Sequence, residues 1–298
     1  MATVFKPGDE KLQQLVSARR DEVLRLQKSE ALQLQDLERR GDARIKEMRD
    51  GLPAELVAFM DKQSKAQDDA STETQREVEE IKNQLIATPV AAEEETAVHP
   101  GLAGNQLVSS SALGWFSPYY GVLHWSDGTV VWQGYNPGNI DLWDWAEGAG
   151  TGNSGTGAAS RTLIMDWWFT YNPTTNGYYN HSISVPYHGF YIVRAFDDWF
   201  TSKEAHARID LSAVGYQNGY KATSSVNIFN RRGTNINANA RFDGSRSMVY
   251  TDMLAAGTAY LRVSSSFYVY ARGSGSHAQL NFNDGAANYI GMPWVYVY

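Results

Sequence analysis

Every tryptophan and every tyrosine of this chain lies beyond residue 114, nine and 17 residues respectively. Only Phe5 and Phe59 of the eleven phenylalanines come earlier, and only Gly8, Gly41 and Gly51 of the 26 glycines precede residue 100. Charge runs the other way: residues 1–98 carry 15 Lys or Arg and 21 Asp or Glu, against 11 and 12 in residues 99–298. Rings and glycines suit packed sheets and tight turns, whereas dense charge of both signs suits exposed helices. The length, 298 residues, allows about two domains. The division predicts an α + all-β two-part chain, with a helical arm over 1–88, a linker over 89–104 and a β head over 105–298.

In the arm, Pro7-Gly8-Asp9-Glu10 reads as a helix start, because acids complement the positive helix end. From Lys11 to Asp50 there is no proline, so the pattern predicts one helix over about 9–50, roughly 60 Å long. Its apolar residues recur in steps of three and four: Leu12, Val16, Val23, Leu26, Leu34, Leu37, Ile45 and Met48. The seam is imperfect, since Arg19, Glu30 and Gln33 occupy positions where a coiled coil wants apolar groups. Gly51-Leu52-Pro53 is a stop-and-restart signal, with Gly suited to C′ and Pro to N1. A second helix is expected over 54–87, in two pieces if Asp68–Thr72 breaks it. Two long helices with a short turn make either a helical hairpin or a coiled coil. Neither can bury so narrow a stripe alone, so a homo-oligomer through residues 9–87 is expected.

The head is filled with alternating segments. Leu163, Met165, Trp167, Phe169 and Tyr171 point one way and Thr162, Asp166 and Thr170 the other. Tyr179, His181, Ile183 and Val185 follow the same period, as do Ala207, Ile209, Leu211 and Ala213, then Leu261, Val263, Phe267 and Val269. The chain closes on another strand, Trp294–Tyr298. Eight to ten strands with one apolar face each predict an antiparallel β-sandwich, jelly-roll-like in strand count. Gly148–Ser160 reads as a loop.

Chemistry-bearing motifs are scarce. With no cysteine, disulfides and thiolate metal sites are excluded. The six histidines show no ligand spacing, and HExxH, GxSxG and P-loop patterns are absent. No catalytic residue, metal or cofactor is assigned. A glycoside hydrolase would need two facing carboxylates; Asp144, between Trp143 and Trp145, is the first candidate and Asp166 the second. A net charge of −7 argues against nucleic acid, and Arg231–Arg232 reads as an isolated pair in a solvated loop.

Binding signals are denser. Residues 115–145 hold five tryptophans, with Asn136-Pro137-Gly138-Asn139 as a turn among them. Rings beside turn polars make rigid apolar faces with hydrogen-bonding neighbours. Trp125, Trp132, Tyr135, Asn136, Asn139, Trp143, Asp144 and Trp145 are therefore the candidate ligand-binding residues. The layout of arm, linker and β head has a general likeness to viral fibre and adhesin heads, in architecture alone.

These features predict a non-enzymatic, multivalent binding or assembly protein whose heads engage a glycan or cell-surface receptor. The alternatives are a pore-forming, insecticidal-type toxin with a β receptor-binding domain, or a structural subunit of a filament or capsid-like shell. No stretch is long and apolar enough for a transmembrane span, so membrane contact is expected only of the toxin. The N-terminus lacks the apolar run of a secretory signal. The expected route is therefore cytoplasmic synthesis followed by release, non-classical export or assembly into a particle.

Overall fold

The computed structural model describes residues 10–89, 113–125, 140–146, 158–196 and 203–298, apart from 117, 274, 283, 285–287 and 292. Helix α1 runs over Glu10–Asp50 and α2 over Ala54–Ala87. The first strands are β1 (Gly114–Phe116), β2 (Tyr120–Trp125), β3 (Ile140–Ala146), β4 (Ala158–Tyr171), β5 (Gly177–Ala195) and β6 (Glu204–Gln217). The rest are β7 (Tyr220–Gly233), β8 (Ile236–Leu254), β9 (Ala259–Arg272), β10 (Ser276–Phe282), β11 (Tyr289–Ile290) and β12 (Trp294–Val297). Two of these twelve, β1 and β11, are three and two residues long, too short for a periodicity to reveal them.

The strands form two antiparallel sheets. In the first, sheet A, β8 pairs with β5 along its whole length, from Gly177↔Leu254 to Ala195↔Ile236. The other edge of β5 is shared: β12 takes its first half, β11 the middle and β10 the second half. β1 extends β12, and β3 extends β10. Sheet B has the order β2-β4-β9-β6-β7. Inward residues of both sheets share one core: Leu163, Met165, Trp167 and Phe169 of β4 meet Ile183, Val185 and Val193 of β5, and Phe267 of β9 meets Phe282 of β10. The alternation read from β4, β5, β6 and β9 is the alternation observed.

One face per strand is not the whole account, however. β4 is buried on both faces, because Thr162, Ile164, Asp166 and Trp168 on its outer side are covered too. Their cover is α1. Leu12 and Val16 pack on Tyr120, Trp168 and Tyr260, each such burial contributing about 1.5–3 kcal/mol. Farther along, Arg19 Nε donates to Asp166 Oδ2 at 3.0 Å, and Glu30 Oε2 accepts from the Thr162 hydroxyl at 2.7 Å. Two of the residues that spoil α1 as a coiled-coil seam, Arg19 and Glu30, are thus ones that match polar positions on the sheet.

α2 lies on the other layer. Val78 and Leu85 pack on Phe190 and Ile192 of β5. Glu77 pairs with Arg194, Lys82 with Asp284 at 3.0 Å, and Arg241 Nη1 reaches the Leu85 carbonyl at 3.5 Å. The two helices therefore straddle the head, one on each sheet, and the Arg49–Asp61 ion pair at 2.9 Å joins them near their junction. That junction differs from the expected glycine cap. Gly51 N and Leu52 N bond to the Met48 and Arg49 carbonyls, and Pro53 sits at the N-cap of α2 instead of N1. α2 also runs unbroken through Asp68–Thr72, where a break was expected. Among the described residues, no helix is long and apolar enough to cross a membrane.

Candidate binding surface

α2 covers only the second half of β5, where Phe190, Ile192 and Arg194 point outward. Among the described residues, no helix covers the first half, the bare face. Its outward positions, Tyr178, Asn180, Ser182 and Ser184, stand opposite Met253, Thr251, Val249 and Ser247 of β8. On the other side Trp294 faces Ser184, Tyr296 faces Ser182, and Trp115 of β1 faces Tyr296. Tyr298 continues the row, exchanging both backbone hydrogen bonds with Asn180. Strand spacing and rise make this surface about 14 Å across the strands and about 20 Å along β5.

Exposure marks the same surface. Among the described residues of the head, the exposed large apolar side chains are Trp115, Tyr178, Phe196, Val249, Met253 and Trp294, and all but Phe196 lie on it. Tyr178 is 74% exposed and Trp294 48%. The rings are ordered against one another: Trp115 and Tyr296 have centroids 4.9 Å apart, and Tyr296 stacks on Tyr298 at 5.4 Å and 26°. Between them lie hydroxyls and an amide, with Ser247 Oγ donating to Ser184 Oγ at 3.2 Å and Thr251 Oγ1 to Asn180 Oδ1 at 2.6 Å. None of these outward positions is charged. A contiguous exposed apolar patch interspersed with hydroxyls is a candidate recognition surface, since leaving rings in water has a cost.

Beneath the face lies a buried polar cluster. The Tyr171 hydroxyl and His181 Nε2 share a hydrogen bond of 2.5 Å, and His181 stacks on Tyr250 at 4.7 Å and 11°. Burial pushes the His181 imidazole down to about 4, so the ring is uncharged at neutral pH. Burial also raises the Asp252 carboxyl above the usual carboxylate range. Gly215 leaves room for this cluster: a Cβ on it would lie 2.6 Å from Asp252 Oδ2, and the carboxylate would have to shift.

The residues singled out from the sequence fare differently. Trp132, Tyr135, Asn136 and Asn139 lie outside the described residues, as do the side chains of Trp125, Trp143, Asp144 and Trp145. By register, Trp125 faces Leu163 at the end of β2, and Trp143, Asp144 and Trp145 face Gln279, Ala278 and His277 at the β10 end of sheet A. That is the opposite half of the sheet from the bare face. Asp166 is neither a turn cap nor an edge charge. Burial alone would raise its carboxyl, but His124, Arg19, Arg262 and the Ser264 hydroxyl together hold it below the usual range. His206 and Asp210 share a strand face but bond elsewhere, His206 to Asn230 at 2.9 Å and Asp210 to Asn227 at 2.8 Å.

The bare face had a signal in the sequence. In Trp294-Val295-Tyr296-Val297-Tyr298 the valines and the rings occupy opposite faces. Once Val295 and Val297 are in the core, the rings must point out.

No family model matches the chain, and no curated protein matches it in sequence. Among solved structures, the carbohydrate-binding module TmCBM61, determined in complex with beta-1,4-galactotriose, aligns with 61% of this chain and 90% of its own. The identity is 9% and the TM-score 0.25. A likeness of that size establishes no shared function.

Proposed function

We propose that this chain is a non-enzymatic binding protein whose two-layered head, a β-sandwich, recognises a glycan through the bare face of sheet A. The observation that carries this reading is the uncharged set Trp115, Tyr178, Trp294, Tyr296 and Tyr298, laid out flat among Asn180, Ser182, Ser184 and Thr251. A pyranose ring offers an apolar C–H face to an aromatic ring and hydroxyls to short polar side chains, and this surface supplies both. The lack of charge suits a neutral sugar chain.

The arm supplies multivalency in this reading. Leu24, Leu26, Leu32, Leu37, Leu56 and Phe59 remain exposed on α1 and α2 after docking, from 41% to 57%. A second copy covering them would bring several heads together, and weak contacts would then add as avidity. A glycan array on the full-length chain tests the ligand, with Trp115→Ala/Trp294→Ala as control, and a blank array sinks the proposal. Solution mass tests the arm: a monomer at micromolar concentration removes the multivalent part.

A second reading, a subunit of a larger assembly, is favoured by the sheet edges. Among the described strands, β8 pairs with β5 alone and β7 with β6 alone, leaving two long edges for a neighbouring chain. Spontaneous growth into regular particles, abolished by a proline in the middle of β8, would select it.

A further inference from the structure

Arg231–Arg232 is not a solvated loop. Both residues belong to β7, and the register sets Arg232 opposite His206 of β6. His206 is in turn opposite Tyr270 of β9, and Tyr270 opposite Ser160 of β4. The neighbouring outward row runs from Arg208 to Tyr268 to Thr162, and the next pairs Glu204 with Arg272. Arg208, Arg232 and Arg272 thereby converge on the outer face of sheet B around two tyrosines. α1 walls this floor with Glu30, Leu34 and Leu37, leaving a groove of about 460 Å³.

The groove has more donors than it uses. Each guanidinium offers five N–H donors in a planar fork. Glu204 accepts from Arg232 Nε at 2.5 Å and lies 3.9 Å from Arg272, and Asp210 takes Arg208 Nε at 2.7 Å. Arg272 Nε is buried with no acceptor among the described residues, so the terminal N–H groups of its 27% exposed side chain are the ones a ligand can reach. The Arg208 guanidinium sits 5.6 Å from the centre of the Tyr268 ring, fixing both. Burial, the largest influence on His206, lowers its imidazole, so it adds no standing charge.

We propose that this groove is a second binding site, distinct from the bare face, for an oligosaccharide carrying an acid group. The ring lies on Tyr268 and Tyr270, the acid group takes the free N–H donors of Arg208, Arg232 and Arg272, and Glu204 accepts from sugar hydroxyls. Charge decides the class. The three arginines are balanced by Glu204, Asp210 and Glu30, which leaves local donors for isolated acid groups among hydroxyls but no net positive field to hold a polyphosphate chain. The proposal rests on the glycan reading for its ring but on none of the same residues.

The test uses the full-length chain against an array of uronate-, sialate- and sulfate-bearing oligosaccharides, the methyl-esterified uronates, and single-stranded oligonucleotides. Arg208→Gln/Arg232→Gln is the site variant; these side chains are 44% and 66% exposed, so the fold survives their replacement. Trp115→Ala/Trp294→Ala is the comparison. Binding of at least one acidic glycan is expected, falling tenfold or more on esterification of a bound uronate and in the arginine variant, and unchanged in the tryptophan variant. No acidic binder, binding indifferent to the arginine variant, or preference for the oligonucleotides overturns the proposal. Loss confined to the tryptophan variant overturns the groove while keeping the bare face. Loss confined to the arginine variant, with neutral glycans silent, overturns the bare face while keeping the groove.

Discussion

The two sheets present aromatic rows at the same end of the head, on either side of the turn from Tyr171 to Gly177, and only one is covered. On sheet B, Tyr120, Trp168 and Tyr260 lie under the first turns of α1, each at most 8% exposed. On sheet A, Trp115, Tyr178 and Trp294 stand open. Rings alone do not explain the difference. Beside the covered row stand Asp166 and Arg262, which engage Arg19 and Glu22 of the arm. Beside the open row every outward position is neutral, so a charged helix laid there would lose water and gain no partner. Charge placement draws α1 onto the sheet B row and leaves the sheet A row open.

The strongest test removes the anchor. Asp166→Ala strands Arg19 and Arg262 under the helix and is expected to cost about 3–5 kcal/mol in urea unfolding. Proteolysis of α1 should quicken with it. An Arg19→Met/Asp166→Leu pair should recover only the share due to Arg19, because Arg262, His124 and Ser264 still lose their carboxylate. A cost below about 1 kcal/mol would mean that the rings, and not the charges, hold the arm.

Acid separates the two faces next. His181, under the open face, has its folded-state pKa lowered from 6.5 to about 4. Between these values the unfolded chain binds the proton and the folded chain does not, so stability falls as pH drops from 6.5 towards 4. The full effect is roughly 3 kcal/mol at about 1.4 kcal/mol per pH unit. Asp166 moves the same way but in a lower window: its folded value lies below the usual 3.8, so its contribution starts to fall only once the pH drops below 3.8. Sheet A should therefore loosen before the arm lets go. Hydrogen exchange at pH 5 checks the order, and His181→Gln should flatten the pH profile of unfolding.

Smaller still is Leu12→Ala, which opens a gap over Trp168. Leu12 sits near the start of a helix that can settle, so about 2 kcal/mol is expected, at the low end for buried leucines. The accompanying red shift in tryptophan emission should vanish when Trp168→Phe is added. An unshifted spectrum would mean that solvent does not reach the covered row.

What could be read in the sequence follows periodicity. The helix Glu10–Asp50, the break at Gly51–Pro53 and the inward faces of β4, β5, β6 and β9 each show in a single segment. What escaped depends on two segments meeting. Arg19 reads as a flaw in a seam until Asp166, 147 residues away, is placed beneath it. Asp166 reads as a candidate acid until Arg19 and His124 surround it. Arg208, Arg232 and Arg272 are unremarkable one at a time and become a groove only through the pairing of β7, β6 and β9. The bare face needed less: the alternation in 294–298 already separates valines from rings, and only the tie to Tyr178 and Trp115 requires the sheet.

The smallest expected change in stability comes from the open row itself. Trp115→Ala/Trp294→Ala removes side chains 42% and 48% exposed, the first in ring contact with the outward Tyr296. Surface changes of this kind stay within about 1 kcal/mol, and Val295 and Val297 beneath them keep the core closed. The same pair of substitutions on the covered row, Tyr120→Ala/Trp168→Ala, should cost several times more, because those rings sit between helix and sheet. Glycan retention should follow the reverse order: lost with the open row, kept with the covered one wherever the chain still folds. If the open-row variant unfolds as readily as the covered-row one, its rings serve the fold, and the contrast between the two faces is one of exposure without one of function.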